Sequence, residues 1–319
     1  MKPRRRPAGT NPLSFGRTTA SLLFAMRLTA LLSALLLAAA PLCAADAGLT
    51  LAGSDLLGAK FSTGLTALAK RTGVSLTLNL TGSHSGLESL QNGKADVALL
   101  VFAPQEKPPG PPFVALPVAY HTVIAVVPAD LPLEQLSFAQ LLTIYSVYGG
   151  DQPPKNWDAL GVPASSPWSH LPIAPVLSGS GGGLAYDLFR HDVLTSHELR
   201  AIVVVETDGA AALKHLADGS SGLALVASLP PGRKDLKALS LSRGANSTAY
   251  GPTPENVHAG DYPVRLPLQV VIRAEAAKRA LPLLRLLFSA EAVPLWQEAQ
   301  LVPLSTSDRE DQVAKFESK

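Results

Sequence analysis

From residue 49 onward, short apolar runs alternate with stretches whose apolar positions recur every three or four residues. The run 49–52 predicts a first strand, closed by Gly53-Ser54-Asp55. Phe61, Leu65, Leu68 and Ala69 then fall on one face of a helix that Gly73 terminates. Residues 74–80 alternate apolar and polar side chains, the period of a half-buried strand, and lead into Thr81-Gly82-Ser83-His84-Ser85-Gly86. Leu87 and Leu90 place a short helix before Gly93, and 96–101 reads as a third strand. A proline-rich loop over 108–112 interrupts the alternation, and 114–127 reads as one long extended segment.

The same alternation continues through the second half. It predicts a helix near 140–144, a strand near 173–176 and the turn Ser178-Gly179-Ser180-Gly181-Gly182-Gly183. A helix through Tyr186, Leu188 and Phe189 follows, then a strand over 201–205 and a helix through Leu213 and Leu216. Further strands are expected over 223–226 and 266–272, and a core helix over 276–288. Strands and helices in alternation, with no internal repeat, are the signature of an α/β fold.

At 319 residues, 47% hydrophobic and 16% charged, the chain can bury a large core. Roughly 100–200 residues per domain makes two lobes the natural division. The N-terminus changes the reading of charge. Met26-Arg27, an apolar stretch over 28–42 and Cys43-Ala44-Ala45-Asp46 have the order of an export signal with its cleavage site. The apolar stretch is shorter than the roughly 20 residues of a membrane-spanning helix. Residues 1–25, with Arg4-Arg5-Arg6, read as an upstream extension of a frame that starts at Met26. The leader holds six of the 27 bases and none of the 25 acids, so its removal takes the formal charge from +2 to about −4. That balance leaves nothing to attract a nucleic acid. Cys43 is the sole cysteine, and Leu42 stands where lipidation needs a small residue, so no lipid anchor is expected. A mature chain cut after Cys43 has no thiol, which excludes disulfide, Cys-metal and Cys-nucleophile chemistry.

Three stretches carry a resemblance to the phosphate-type periplasmic binding proteins, over almost all of the chain from 49 to about 305. One is Gly53-Ser54 with Gly82-Ser83 and Ala95-Asp96. Another is Leu136-Ser137, Gln140-Leu141, Ile144-Tyr145 and Asn156-Trp157. The last is Glu255-Asn256-Val257, Gly260-Asp261-Tyr262-Pro263-Val264 and the segment 295–303. The resemblance implies two lobes, each a mixed sheet flanked by helices, joined by two crossing hinge strands near 123–127 and Tyr262. Lobe 1 would comprise 46–127 plus 262–319, lobe 2 would comprise 128–261, and 1–45 would be the leader. It further implies a periplasmic monomer, without cofactor or catalysis, that carries a small oxyanion or related polar solute to an ABC transporter permease. The alternative is an envelope sensor or interaction module of the same fold that no longer binds a small ligand.

Glycine-rich turns that open helices suit anions, because backbone N–H groups and the positive end of the helix dipole face outward. Three such turns occur, at Gly53-Ser54, 82–86 and 178–183. The candidate ligand-binding residues are therefore Ser54, Asp55, Ser83, Ser85, Ser180, Gly181 and Gly182. Gly82-Ser83 matches the family's serine turn, and Ser180-Gly181 matches its Ser-Gly-Thr with Gly182 in place of the threonine. The resemblance also puts Val101 where the family has a carboxylate and Val176 where it has an arginine. A buried charge-assisted hydrogen bond contributes about 1.5–3 kcal/mol, so losing two weakens phosphate binding by several powers of ten. The seven histidines lack metal-ligand spacing, 82–86 has His in the nucleophile position of a hydrolase elbow, and 178–183 lacks the Lys-Ser/Thr ending of a nucleotide loop.

Overall fold

The computed structural model describes residues 48–148, 153–179, 184–195, 197–217 and 222–318. The expected export signal, Cys43, and Ser180, Gly181 and Gly182 lie outside the described residues. In chain order the first part comprises β1 (Leu49–Gly53), α1 (Gly58–Arg71), β2 (Leu76–Asn79), α2 (Ser83–Gln91), β3 (Val97–Val101), β4 (Phe113–Thr122) and β5 (Ile124–Pro128). The middle comprises β6 (Gln135–Ser137), α3 (Phe138–Tyr145), β7 (Ala174–Ser178), α4 (Ala185–Phe189), β8 (Val204–Glu206), α5 (Gly209–Ala217) and β9 (Gly222–Val226). Then follow β10 (Leu236–Ala238), β11 (Ser240–Ser242), α6 (Pro254–Ala259), β12 (Arg265–Arg273), α7 (Ala277–Leu287), α8 (Val293–Glu298), β13 (Val302–Pro303) and α9 (Thr306–Glu317).

Two mixed sheets, with a two-stranded parallel sheet of β6 and β11 beside them, organise these elements as in the two-lobed periplasmic binding fold. The first has the order β13-β4-β12-β3-β1-β2 and the second β10-β5-β9-β7-β8. In the first, β1 lies parallel to both β2 and β3, while β12 runs antiparallel to β3 and β4. Residues 97–100 of β3 are buried, as a central strand covered on both faces requires, whereas β2 at the edge alternates half-buried and exposed positions. Helix α1 buries Phe61, Leu65, Leu68 and Ala69, and the Phe61 ring lies 4.7 Å from that of Trp296. It ends in a Schellman pattern: Val74 N donates to Ala69 O at 2.8 Å, Gly73 N donates to Lys70 O at 3.3 Å, and Gly73 has φ +76°.

The long extended segment expected over 114–127 is two strands. The chain leaves the first sheet after Thr122 and enters the second at Ile124. Tyr262, on the return path to β12, is fully buried and donates its hydroxyl to Val123 O at 2.6 Å. Thr122 Oγ1 donates to Ala227 O, at the end of β9, at 2.8 Å. In the second sheet, Tyr145 donates to Val176 O at 3.0 Å and to Leu223 O at 2.8 Å, which pins α3 across β7 and β9. Helix α3 starts from a capping box of Ser137 and Gln140. The strand expected over 201–205 is confined to 204–206, because β8 is an edge whose Val204 and Val205 are 42% and 49% exposed. No helix among the described residues is long and apolar enough to cross a membrane.

The crossing also buries His121, which is 5% exposed with no hydrogen-bond partner at Nε2. Burial pushes its imidazole down to about 4. An unfolded chain takes up this proton as the pH falls through about 6.5, but the folded chain does so only near 4. Stability contributed by neutral His121 is therefore complete above pH 6.5 and is lost progressively toward pH 4, up to about 3 kcal/mol. Urea unfolding at pH 7, 6, 5 and 4 should give a smaller loss for His121→Leu than for wild type, and equal losses would remove His121 as the cause. Tyr262→Phe leaves the buried Val123 carbonyl without this donor. Its unfolding free energy at pH 7 should fall by about 1–3 kcal/mol, and an unchanged value would deny the hydrogen bond a structural role.

Candidate functional site

Three neighbouring parallel strands, β2, β1 and β3, end at the same edge of the first sheet. Carboxyl ends of parallel strands are where α/β folds collect ligands. Ser54 follows β1, Ser83 opens α2 after β2, and Val101 closes β3 before Phe102. The close fit of these turns has a specific cause. A Cβ on Gly86 would lie 2.6 Å from Gly53 Cα and 2.8 Å from Gly53 N, and one on Gly53 would lie 2.0 Å from Leu99 O. Gly53 also has φ +145°, which L side chains rarely adopt. Only glycine at both positions lets the first turn of α2 rest on the end of β1.

Hydrogen bonds then fix the turn. Gly82 N donates to Gly53 O at 2.8 Å, Ser54 N donates to Leu99 O at 2.8 Å, and Val101 N donates to Ser83 Oγ at 3.0 Å. Ser83 is thereby held with its hydroxyl oxygen against β3 while its proton remains available to a ligand. Ser54 is 1% exposed, and its oxygen caps the following turn by accepting from Leu56 N at 3.3 Å. The amides of Ser83, His84 and Ser85 open a nine-residue helix and have no carbonyl within it to bond.

A cleft of about 420 Å³ lies over these turns, with α4 and the turn that continues it on its other side. The first-sheet side presents Ser54, Asp55, Leu56, Ser83 and residues 101–104, and the opposite side presents Leu184, Asp187, Leu188 and His191. Those four recur at i, i+3, i+4 and i+7, one face of α4 and of the π-helical turn Arg190–Leu194 that continues it. Such π turns are frequent at functional sites. Of the expected residues, Ser54, Asp55 and Ser83 are brought together in the cleft. Ser85 does not line it, and its hydroxyl lies 3.1 Å from Thr81 Oγ1 instead.

The two valines separate. Val101 lines the cleft, but Val176 is interior to β7 and packs in a core cluster with Ile124, Ala212, Leu213 and Val226. Asp187 and His191 were not singled out from the sequence, although their spacing is present there. Among the described lining residues, Asp55 and Asp187 are carboxylates without a hydrogen-bond or ion-pair partner, and no lysine or arginine lines the cleft. His191 Nδ1 lies 2.7 Å from Asp192 Oδ1.

A family model described as PBP superfamily domain matches residues 38–291. Protein SphX of Synechococcus elongatus is 25% identical over 218 residues, which are 65% of this chain. The matched part spans 62% of the length of that relative. Among solved structures, PstS from Borrelia burgdorferi is similar with a TM-score of 0.57 and 17% identity, covering 81% of this chain and 99% of that one. A possible phosphate binding protein from Planctomyces limnophilus has a TM-score of 0.56 and 19% identity, with coverage of 84% and 98%. These likenesses establish the fold.

Gly86→Ala tests the packing beneath the cleft. The added methyl group meets backbone rather than a flexible side chain, so α2 or β1 has to move. Urea unfolding should give a stability loss of about 1–3 kcal/mol, and a variant as stable as wild type would mean that the contact yields freely.

Proposed function

The chain belongs to the PBP superfamily domain family, and from that premise we propose that it is an exported solute-binding protein of the ABC transporter type. One observation carries the reading: a cleft at the carboxyl ends of β1, β2 and β3, faced by α4 from the other side of a crossing joined by Tyr262 and Val123. A ligand that touches both faces favours the closed arrangement by the contacts available only there. The lobes are taken as 46–127 with 262–319 and 128–261, hinged at the crossing. The protein works in the periplasm as a monomer, and the closed form is what a permease would recognise.

The solute is small and polar, held by the hydroxyls of Ser54 and Ser83 and by the first-turn amides of α2. Phosphate itself is a poor fit. Val101 supplies no acceptor for a protonated phosphate oxygen, and the carboxylates of Asp55 and Asp187 oppose a dianion. A panel of phosphate, sulfate, sugars, amines and amino acids in a thermal-unfolding assay tests the reading. At least one solute should stabilise the protein, by about 2.7 kcal/mol at a hundredfold excess over its dissociation constant. The same solute should reduce the radius of gyration in solution scattering as the lobes close. No stabilisation by any solute at millimolar concentration would refute a transport role.

A further inference from the structure

The cleft combines features that a purely anionic ligand would leave unused. Its first-sheet face offers donors: the proton of Ser83, the first-turn amides of α2, and the hydroxyl of Ser54. Ser54 lines the cleft at 1% exposure, and its proton has no acceptor among the described residues. Its oxygen already accepts from Leu56 N, so what this hydroxyl offers a ligand is its proton. Donors at a helix start select a carboxylate or another oxygen-bearing end.

The same cleft also carries Asp55 beside that turn and Asp187 on the opposite face. Neither has a hydrogen-bond or ion-pair partner among the described residues, and no described lysine or arginine lines the cleft. Both carboxylates are exposed at the cleft and unpaired, so each can take a cationic group of a ligand. The remaining lining is apolar, with Leu56, Phe102, Leu184, Leu188 and Leu266. Leu56 is 42% exposed, an uncovered apolar side chain at the site. A sugar would need many more side-chain hydrogen-bonding groups than this lining provides.

We infer that the cleft takes a small zwitterion with an apolar side chain, an amino-acid-like solute. Its carboxylate lies against the first turn of α2 with Ser54 and Ser83, its ammonium group is matched by Asp55 and Asp187, and its side chain meets the leucines and Phe102. The volume of about 420 Å³ falls within the range of pockets that enclose such molecules. This inference rests on the solute-binding reading and names the ligand class of the same cleft.

Isothermal titration calorimetry on the full mature protein tests it, with the twenty L-amino acids, isovalerate, isoamylamine and inorganic phosphate as probes. An apolar amino acid such as L-leucine or L-methionine should bind. Isovalerate and isoamylamine, which each carry only one charged end, should bind at least tenfold more weakly. Asp187→Asn should weaken the amino acid roughly tenfold or more while leaving the far-ultraviolet circular dichroism and thermal midpoint near wild type. Ser83→Ala should weaken it as well, and Asp187→Glu should recover part of the affinity lost in Asp187→Asn. Binding of phosphate, or of either single-ended probe as tightly as any amino acid, would overturn the zwitterion and leave the solute-binding reading standing. Equal affinity in wild type and Asp187→Asn would overturn it too. Heat from none of the probes would overturn it and, with a silent wider solute panel, the solute-binding reading also.

Discussion

The hydroxyl of Tyr262 and the carbonyl of Val123 meet 2.6 Å apart where the chain passes between its two sheets. Everything that sets one face of the cleft opposite the other depends on this crossing. β4 and β5 are consecutive, yet they pair in different sheets, and Val123 alone separates them. The return path must pass the same point, because β12 has to insert between β4 and β3. Tyr262, Thr122 and His121 are buried at the crossing, and the hydrogen bonds of Tyr262 and Thr122 satisfy the carbonyls of Val123 and of Ala227 just after β9. At so buried a crossing a lost donor is not readily replaced by water.

Much of the fold was legible because it rests on patterns that survive in one dimension. The face of Phe61, Leu65, Leu68 and Ala69 is buried as its spacing predicts, and the uniformly apolar run of β3 is a central strand. What the patterns do not encode is where an apolar extended run changes partners. Residues 114–127 look continuous because strands of both sheets are apolar there, and only pairing with β12 on one side of Val123 and β9 on the other divides them. Edge strands are equally hard to delimit. Val204 and Val205 have strand-forming side chains, but pairing with β7 alone holds only 204–206 in register.

The site was legible to a different degree on its two faces. On the first sheet, Ser54 and Ser83 follow strands and sit in glycine turns, so local sequence marks them. The reason for those glycines is not local: Gly86 is needed because a methyl group there would strike Gly53, some 30 residues earlier in the chain. On the opposite face, Leu184, Asp187, Leu188 and His191 share a helical stripe. A mixed stripe of that kind reads equally well as a half-exposed surface helix. Which way the stripe faces is decided by packing of its other side, where Ala185 and Phe189 are buried and the Phe189 ring lies 5.2 Å from Tyr145.

The two valines show why a substitution has to be placed before it is interpreted. Val101 sits in the cleft, so an apolar group there changes what a ligand meets. Val176 sits among Ile124, Ala212, Leu213 and Val226, and its carbonyl receives Tyr145. An arginine introduced at 176 would bury a charge in a packed core before it could reach any solute, so it would report on folding and not on ligand choice. The electrostatic character of the cleft is set instead by groups on its own lining, the unpaired Asp55 and Asp187, together with Val101 where the likeness to phosphate-type receptors leads one to expect an acid. The charge around the strand ends is thus set by residues of the lining, separately from the crossing, the glycine contacts and the buried strands that carry the fold.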